Sequence, residues 1–221
     1  MQSAIISRLS LHRFFAPALD AGDDLVTLPR DEAEHLTRVL RLGPGDSVSV
    51  FNGRGDEFLA RVESAARRDA RVQLLQRVTP APESTTPITL VQAVLKGDKM
   101  DDVVRDAVML GVAAFQPIVT RRTEVTVAAI MRGARVERWQ RIALASVKQS
   151  RRAVLPEILT PLPFETWLDE PAADIRLLLA EPGIEGSEPL AVFKTAPVPM
   201  SAALVVGPEG GWDAAECARA R

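Results

Sequence analysis

"LVVGPEGGWDAAE", residues 204–216, sets an unbroken apolar run against Gly-Pro-Glu-Gly-Gly and follows it at once with a helix start. An apolar run without polar alternation reads as a strand covered on both faces, as in a parallel sheet. Asp213, with Glu216 three residues on, reads as a capping box. A strand that ends in glycines and turns straight into a helix leaves a bare loop at its carboxyl end, where open α/β sheets bind their ligands. Gly207, Gly210 and Gly211 would let a flat ligand approach the main chain closely. The competing reading is a tight strand-to-helix turn that uses glycine for geometry alone. The stretch speaks for a small-molecule loop in an α/β domain and names no molecule.

Working outward, "ITLVQAVL" (88–95), "AAFQPIVT" (113–120) and "IRLLLAE" (175–181) join "AALVVG" (202–207) as strands, and helical patterns alternate with them. Val103, Val104, Ala107, Val108 and Leu110 recur at helical spacing, with Gly111 closing that helix. A second helical stretch runs from about Gly133 to Arg152. This alternation predicts an α/β domain with a parallel sheet over residues 88–221. Upstream, "VTPAPESTTP" (78–87) breaks every pattern with three prolines, so residues 79–87 read as a linker. Residues 1–78 read as a small β-barrel-like domain with strands at 24–28, 47–51, 57–62 and 70–78. One helix interrupts them, starting at a capping box of Asp31 and Glu34 and stopping at Gly43-Pro44. "NGRGDEF" (52–58) lacks the third glycine of a dinucleotide fingerprint and reads as a hairpin turn. Residues 183–200, rich in Pro, Gly and Glu, read as irregular.

Composition narrows the function classes. Hydrophobic residues make up 47% and charged residues 25% of 221, an ordinary soluble globular balance. No membrane span or signal peptide is visible, which predicts a cytoplasmic protein. Cys217 stands alone and only His12 and His35 accompany it, so neither a disulfide nor a metal site is expected. A net charge of −2 excludes coating of nucleic acid by bulk electrostatics and leaves local basic clusters to consider. Arg38 and Arg41 flank a helix end, where they suit either the macrodipole or phosphates. Arg135, Arg138 and Arg141, followed by "KQSRR" (148–152), form a basic row without an acid after Glu137. Mutual repulsion along that row would be relieved by a phosphate backbone, and the alternative is a solvated helix face.

The order of parts resembles a known family. "HRFF" (12–15), "DEAEHLTRVLRLGPGD" (31–46), "FNGRGDEFLARV" (51–62), "LVQAVLKGDKMDDVVRDAVMLGV" (90–112), "RWQRIALASVKQSRRAVLPEI" (138–158) and "LVVGPEGGW" (204–212) are similar to stretches of the RsmE family. These are 16S ribosomal RNA uridine methyltransferases of the SPOUT superfamily. The resemblance implies a PUA-like RNA-binding β domain joined to a SPOUT α/β domain tied in a trefoil knot. It implies S-adenosyl-L-methionine as cofactor, N3 of a uridine in 16S rRNA as acceptor, the 30S subunit as setting, and a homodimer. On the resemblance, the cofactor would meet Leu179, Ala180, Glu181 and Pro182 at one strand end and Gly207, Pro208, Glu209, Gly210 and Gly211 at the other. RNA would meet Arg13, Arg38, Arg41, Arg151 and Arg152.

Two departures bear on this. The family's "EKATELGV" and "EQSGR" stand here as "RDAVMLGV" (105–112) and "KQSRR", so roles for those acids do not carry over. The family's closing "LG-x-x-I-L-R-x-E-T-A" stretch has no counterpart within residues 1–221; the resemblance then implies an incomplete knot and leaves open the activity of these residues alone. Uridine N3 carries a proton at neutral pH, so a base or an anion stabiliser is needed. Glu209 is the candidate by position, although a carboxylate beside a sulfonium can instead balance charge. A rival from another class is a non-catalytic RNA-binding protein whose α/β part only dimerises.

Overall fold

The computed structural model describes residues 11–171, 173–181 and 197–221. Pro182 and most of the stretch expected to be irregular, 183–200, lie outside the described residues. The chain divides into two compact units: residues 1–83 with 147–155, and residues 84–146 with 156–221.

The first unit is built on a five-stranded sheet in the order β1-β3-β4-β5-β2. Its strands are β1 (Arg13–Phe15), β2 (Leu25–Thr27), β3 (Ser47–Phe51), β4 (Glu57–Ala66) and β5 (Asp69–Val78). All pairs are antiparallel except β1 with β3. Along β4, buried Phe58, Ala60 and Val62 alternate with exposed Arg61 and Glu63, as the pleat requires when one face is covered. These side chains join Phe14, Val48, Val50, Ala70 and Val72 in one core. The turn between β3 and β4 is the expected hairpin connection: Asn52 Oδ1 accepts from the N–H groups of Arg54 (2.8 Å) and Asp56 (3.1 Å), while Gly53 and Gly55 take φ of +77° and +105°. β1 is too short for its alternation to be read from sequence.

The helix of this unit departs from expectation. α1 spans Arg30–Glu34 with Pro29 as its N-cap and no side-chain cap, so Asp31 lies inside the first turn and the expected capping box does not form. Glu34 is engaged by Arg68 at 2.9 Å instead. The chain then widens into a π-helical turn, His35–Val39, closed by Leu40 N–H donating to His35 O at 3.0 Å. Thr37 Oγ1 donates to Ala33 O at 2.8 Å, a side-chain bond that competes with the regular ladder.

The second unit carries an all-parallel sheet in the order β10-β11-β6-β7-β8, with β9 also on β7. Its strands are β6 (Ile88–Ala93), β7 (Ala114–Val119), β8 (Glu157–Ile158), β9 (Leu162–Pro163), β10 (Ile175–Leu179) and β11 (Ala202–Val206). The helices are α2 (Lys99–Leu110), α3 (Val127–Arg132), α4 (Arg135–Ser150, whose last turn belongs to the first unit), α5 (Phe164–Leu168) and α6 (Ala214–Arg219). Val91, Ala93, Ile118, Val205, Phe164, Trp167 and Trp212 form the core on one face. α2 buries Met100, Val104, Ala107 and Val108 and ends at Gly111 in the left-handed region, φ +100°. Leu110 corrects the apolar stripe read from spacing, since it is 88% exposed. From β6 the chain steps one way to β7 and β8, whereas β11 adds on the other side. The strand order therefore reverses between β6 and β11, where open sheets leave a crevice at the carboxyl ends of their strands.

Candidate functional site

Four neighbouring parallel strands, β10, β11, β6 and β7, end on the same side, and their loops are tied together by hydrogen bonds. Trp212 Nε1 donates to Leu179 O at 2.8 Å, joining the loops after β10 and β11. Gln92 Nε2, at the end of β6, donates to Gly207 O at 3.2 Å. Lys96 N–H donates to Glu209 Oε1 at 3.2 Å, and Arg122 NH1 donates to Gly210 O at 2.7 Å. The predicted capping box at the start of α6 is present, and Glu216 Oε1 also accepts from Arg121 N–H at 2.8 Å.

The three glycines of the loop are bare for different reasons. A β-carbon on Gly207 would come within 3.0 Å of the Trp212 indole. Gly211 takes φ +70°, and a β-carbon there would run into Glu181 Oε1. Both are explained by the protein's own packing, as the geometry-only reading holds. Gly210 differs: it is exposed, and the nearest atom to a β-carbon there would be an Arg122 carbon at an ordinary 3.6 Å. It borders a cleft of about 360 Å³ lined by Lys96, Gly97, Arg122, Glu124, Arg135 and Glu209 among others. Of the residues expected around a cofactor, Leu179, Ala180 and Glu181 thus lie beside Gly207–Gly211, and Leu179 is 42% exposed. Exposed apolar surface at Leu179 beside a main chain bare of side chains suits an adenosyl group.

Glu209 is set up as an anion. Burial alone would push its carboxyl up, but hydrogen bonds from its own backbone N–H, from Lys99 Nζ and from Lys96 N–H outweigh burial and hold it below the usual carboxylate range. A carboxyl so held is a weak base at neutral pH. Lys96, Lys99 and Arg122 escaped the sequence reading because no motif marks them; what identifies them is their place just after β6 and β7.

The expected RNA-binding arginines separate into two groups. Arg38 and Arg41 are exposed, and Arg41 is held at φ +55°, a rare conformation for a residue with a side chain. Arg151, half-buried at φ +63°, lines a cavity of about 320 Å³ in the first unit. Arg13 and Arg152 correct the expectation. Arg13 is buried, paired with Glu57 through Nε (3.1 Å) and NH2 (3.0 Å), and donates to the carbonyls of Val147 (2.9 Å), Lys148 (3.1 Å) and Arg152 (2.8 Å). Its guanidinium also lies 4.6 Å from the Phe51 ring centre. Arg152 is buried against Glu83 at 2.5 Å. The basic row of α4 is likewise partly neutralised, with Lys148 on Glu32 and Arg138 on Asp98 and Asp101. Among the described residues no cluster of three or more His, Cys, Asp or Glu could hold a metal ion. Among them, too, no helix is long and apolar enough to cross a membrane.

Comparison with known proteins places this arrangement. The profile of the RNA methyltransferase domain matches residues 82–221, and that of the RNA methyltransferase PUA domain matches residues 28–75. The chain belongs to the RNA methyltransferase family. Among members of that family it is 35% identical to the ribosomal RNA small subunit methyltransferase E of Synechocystis, over 85% of this chain and 60% of that protein. The match therefore spans less than two thirds of that relative's length. It is 30% identical to the protein of the same name from Aquifex aeolicus, over 93% of this chain and 85% of the relative. The solved ribosomal RNA small subunit methyltransferase E of Neisseria gonorrhoeae, bound to S-adenosyl methionine, superposes with a TM-score of 0.83 at 29% identity, covering 95% of this chain and 85% of that one. The expected architecture, a PUA-like β domain with a SPOUT-like parallel-sheet domain, is the one this chain has.

Proposed function

We propose that this chain transfers a methyl group from S-adenosyl-L-methionine to N3 of a uridine in 16S rRNA, acting in the cytoplasm on the 30S subunit as a homodimer. The observation that carries the reading is the bare backbone at Gly210, exposed in the loop after β11 next to the β6–β11 position where the strand order reverses, in a chain of the RNA methyltransferase family. The names of the relatives support the acceptor, and the cofactor in the Neisseria protein supports the donor.

Leu179, Ala180 and the Gly207–Gly211 main chain would hold the cofactor, whose bound sulfonium supplies an electrophilic methyl group. Trp212, by bonding Leu179 O, keeps the two walls of that site together. Such fixing of reactants in line is a large part of what methyl transfer needs from a protein. Glu209, kept ionised, suits the positive charge of the donor better than it suits removal of the N3 proton. Arg38, Arg41 and Arg151 are the residues proposed for phosphate contacts, and Arg13 and Arg152 shape the surface from beneath.

The rival, an RNA binder without catalysis, is disfavoured by the family membership. Calorimetric titration with S-adenosyl-L-methionine separates the two. The proposal expects saturable one-site binding together with methyl incorporation into 30S subunits that lack the modification; absence of both would leave the RNA binder standing.

A further inference from the structure

The cleft of about 360 Å³ beside Gly210 has an uneven charge pattern. Lys96 is paired with Glu124 at 2.5 Å, and Glu209 with Lys99 at 3.1 Å, so these four charges balance in pairs. Arg122 has a different partner, the neutral carbonyl of Gly210, at 2.7 Å. Arg135, exposed at the first residue of α4, also lines the cleft. Among the described residues neither guanidinium has a carboxylate within ion-pair distance. Two planar cationic forks lining one cleft, neither paired with a carboxylate among the described residues, are the arrangement that recognises an oxyanion in two-pronged fashion. The position adds to this, because the cleft is lined by the loops after β6, β7 and β11, at the carboxyl ends of the strands on either side of the point where the strand order reverses.

We propose that this cleft receives the target nucleotide of the RNA, with Arg122 and Arg135 donating to its phosphate. The inference rests on the functional reading above and assigns it a substrate pocket. A base whose ring nitrogen is to be modified must leave its stack, and the backbone phosphate is then the handle by which a protein can hold the extruded nucleotide. The cleft falls within the size range of small-ligand pockets. Arg122 also ties the phosphate position to the cofactor loop, since the same guanidinium holds Gly210 O. The second source of an oxyanion here is the carboxylate of the cofactor's own methionyl group, and the test distinguishes the two.

The test uses the full chain with Arg135→Gln, Arg135→Lys and Arg122→Gln. Arg135 is exposed, so its variants should fold; Arg122→Gln also removes the bond to Gly210. Measured are the affinity for S-adenosyl-L-methionine by calorimetry, KM for 30S subunits in methyl transfer, and 16S rRNA binding against salt. Arg135→Gln should raise KM for 30S about tenfold, the scale of one charge-assisted contact, and lower the salt slope of RNA binding by roughly 0.7–0.9. Cofactor affinity should stay within about twofold. Arg135→Lys, keeping charge without the fork, should recover the slope and only part of KM. A tenfold loss of cofactor affinity with unchanged RNA behaviour would assign the site to the cofactor's carboxylate and overturn the proposal. So would an unchanged salt slope. A parent chain that binds RNA but transfers no methyl group would sink the functional reading, while the slope measurement would still decide on the phosphate.

Discussion

Replacing Arg13 with alanine removes five hydrogen bonds at once: two to Glu57 and three to the carbonyls of Val147, Lys148 and Arg152. Glu57, itself buried, would retain among the described residues only the hydroxyl of Ser49, at 2.6 Å. Breaking one side of a buried ion pair costs about 3–5 kcal/mol, because the partner charge stays out of water without compensation. The Val147 and Lys148 carbonyls belong to the last turn of α4, where backbone N–H donors run out and Val147 O keeps only a long bond from Ser150 Oγ (3.5 Å) among the described side chains, so their loss pushes the cost toward the upper end. For a chain of this size the expected fall in Tm is roughly 6–20 °C. Differential scanning calorimetry of Arg13→Ala against the parent reads this directly. Arg13→Met with Glu57→Leu should recover part of the loss, since the orphaned carboxylate is gone. A fall in Tm below about 2 °C, combined with a lower salt slope in RNA binding, would refute the reasoning and restore Arg13 as an RNA contact.

Gly211→Ala should destabilise the loop by about 1–2 kcal/mol from the left-handed backbone alone, plus displacement of Glu181, and should weaken S-adenosyl-L-methionine in calorimetry. Gly210→Ala should leave Tm unchanged, because the β-carbon has room, while lowering cofactor affinity; unchanged affinity would remove Gly210 from the site. Arg38→Ala with Arg41→Ala should lower the salt slope of RNA binding by roughly 1.4–1.8, with cofactor affinity intact. The depressed Glu209 carboxyl contributes stability above its ordinary value of 4.5 and loses it as pH falls through its lower folded value. The stability of Glu209→Gln should accordingly fall less steeply than the parent's as pH drops from about 4.5 through the folded value, and run parallel to it above 4.5. Burial pushes the Cys217 thiol up, with the negative charge of Glu181 adding to it, so labelling by a thiol reagent at neutral pH should be slow until the protein unfolds.

The parallel sheet was legible because its strands are apolar runs bounded by glycine, proline or acid, and the capping box at Asp213 and Glu216 was legible because both partners lie within one turn. The hairpin at Asn52-Gly53 followed from the same kind of local chemistry. The arginines were not legible. Glu57 stands 44 residues from Arg13, Glu83 stands 69 from Arg152, and Glu32 stands 116 from Lys148, so no spacing rule could pair them. The π-helical turn after α1, where Thr37 Oγ1 bonds Ala33 O and Leu40 N–H bonds His35 O, keeps the apolar spacing of a helix and so leaves no mark in the sequence pattern. The glycine loop was visible at once, but only the packed structure separates Gly207 and Gly211, bare because Trp212 and Glu181 fill their space, from Gly210, bare beside an open cleft.

The most direct measurement is nucleoside mass spectrometry of 16S rRNA from unmodified 30S subunits after incubation with the protein and isotope-labelled S-adenosyl-L-methionine. The account predicts one labelled methyl group per 16S rRNA, recovered as N3-methyluridine and lost with Gly211→Ala. Label recovered on a ribose, on a ring carbon or on a nucleoside other than uridine would contradict it, as would 16S rRNA that binds the protein and emerges unlabelled.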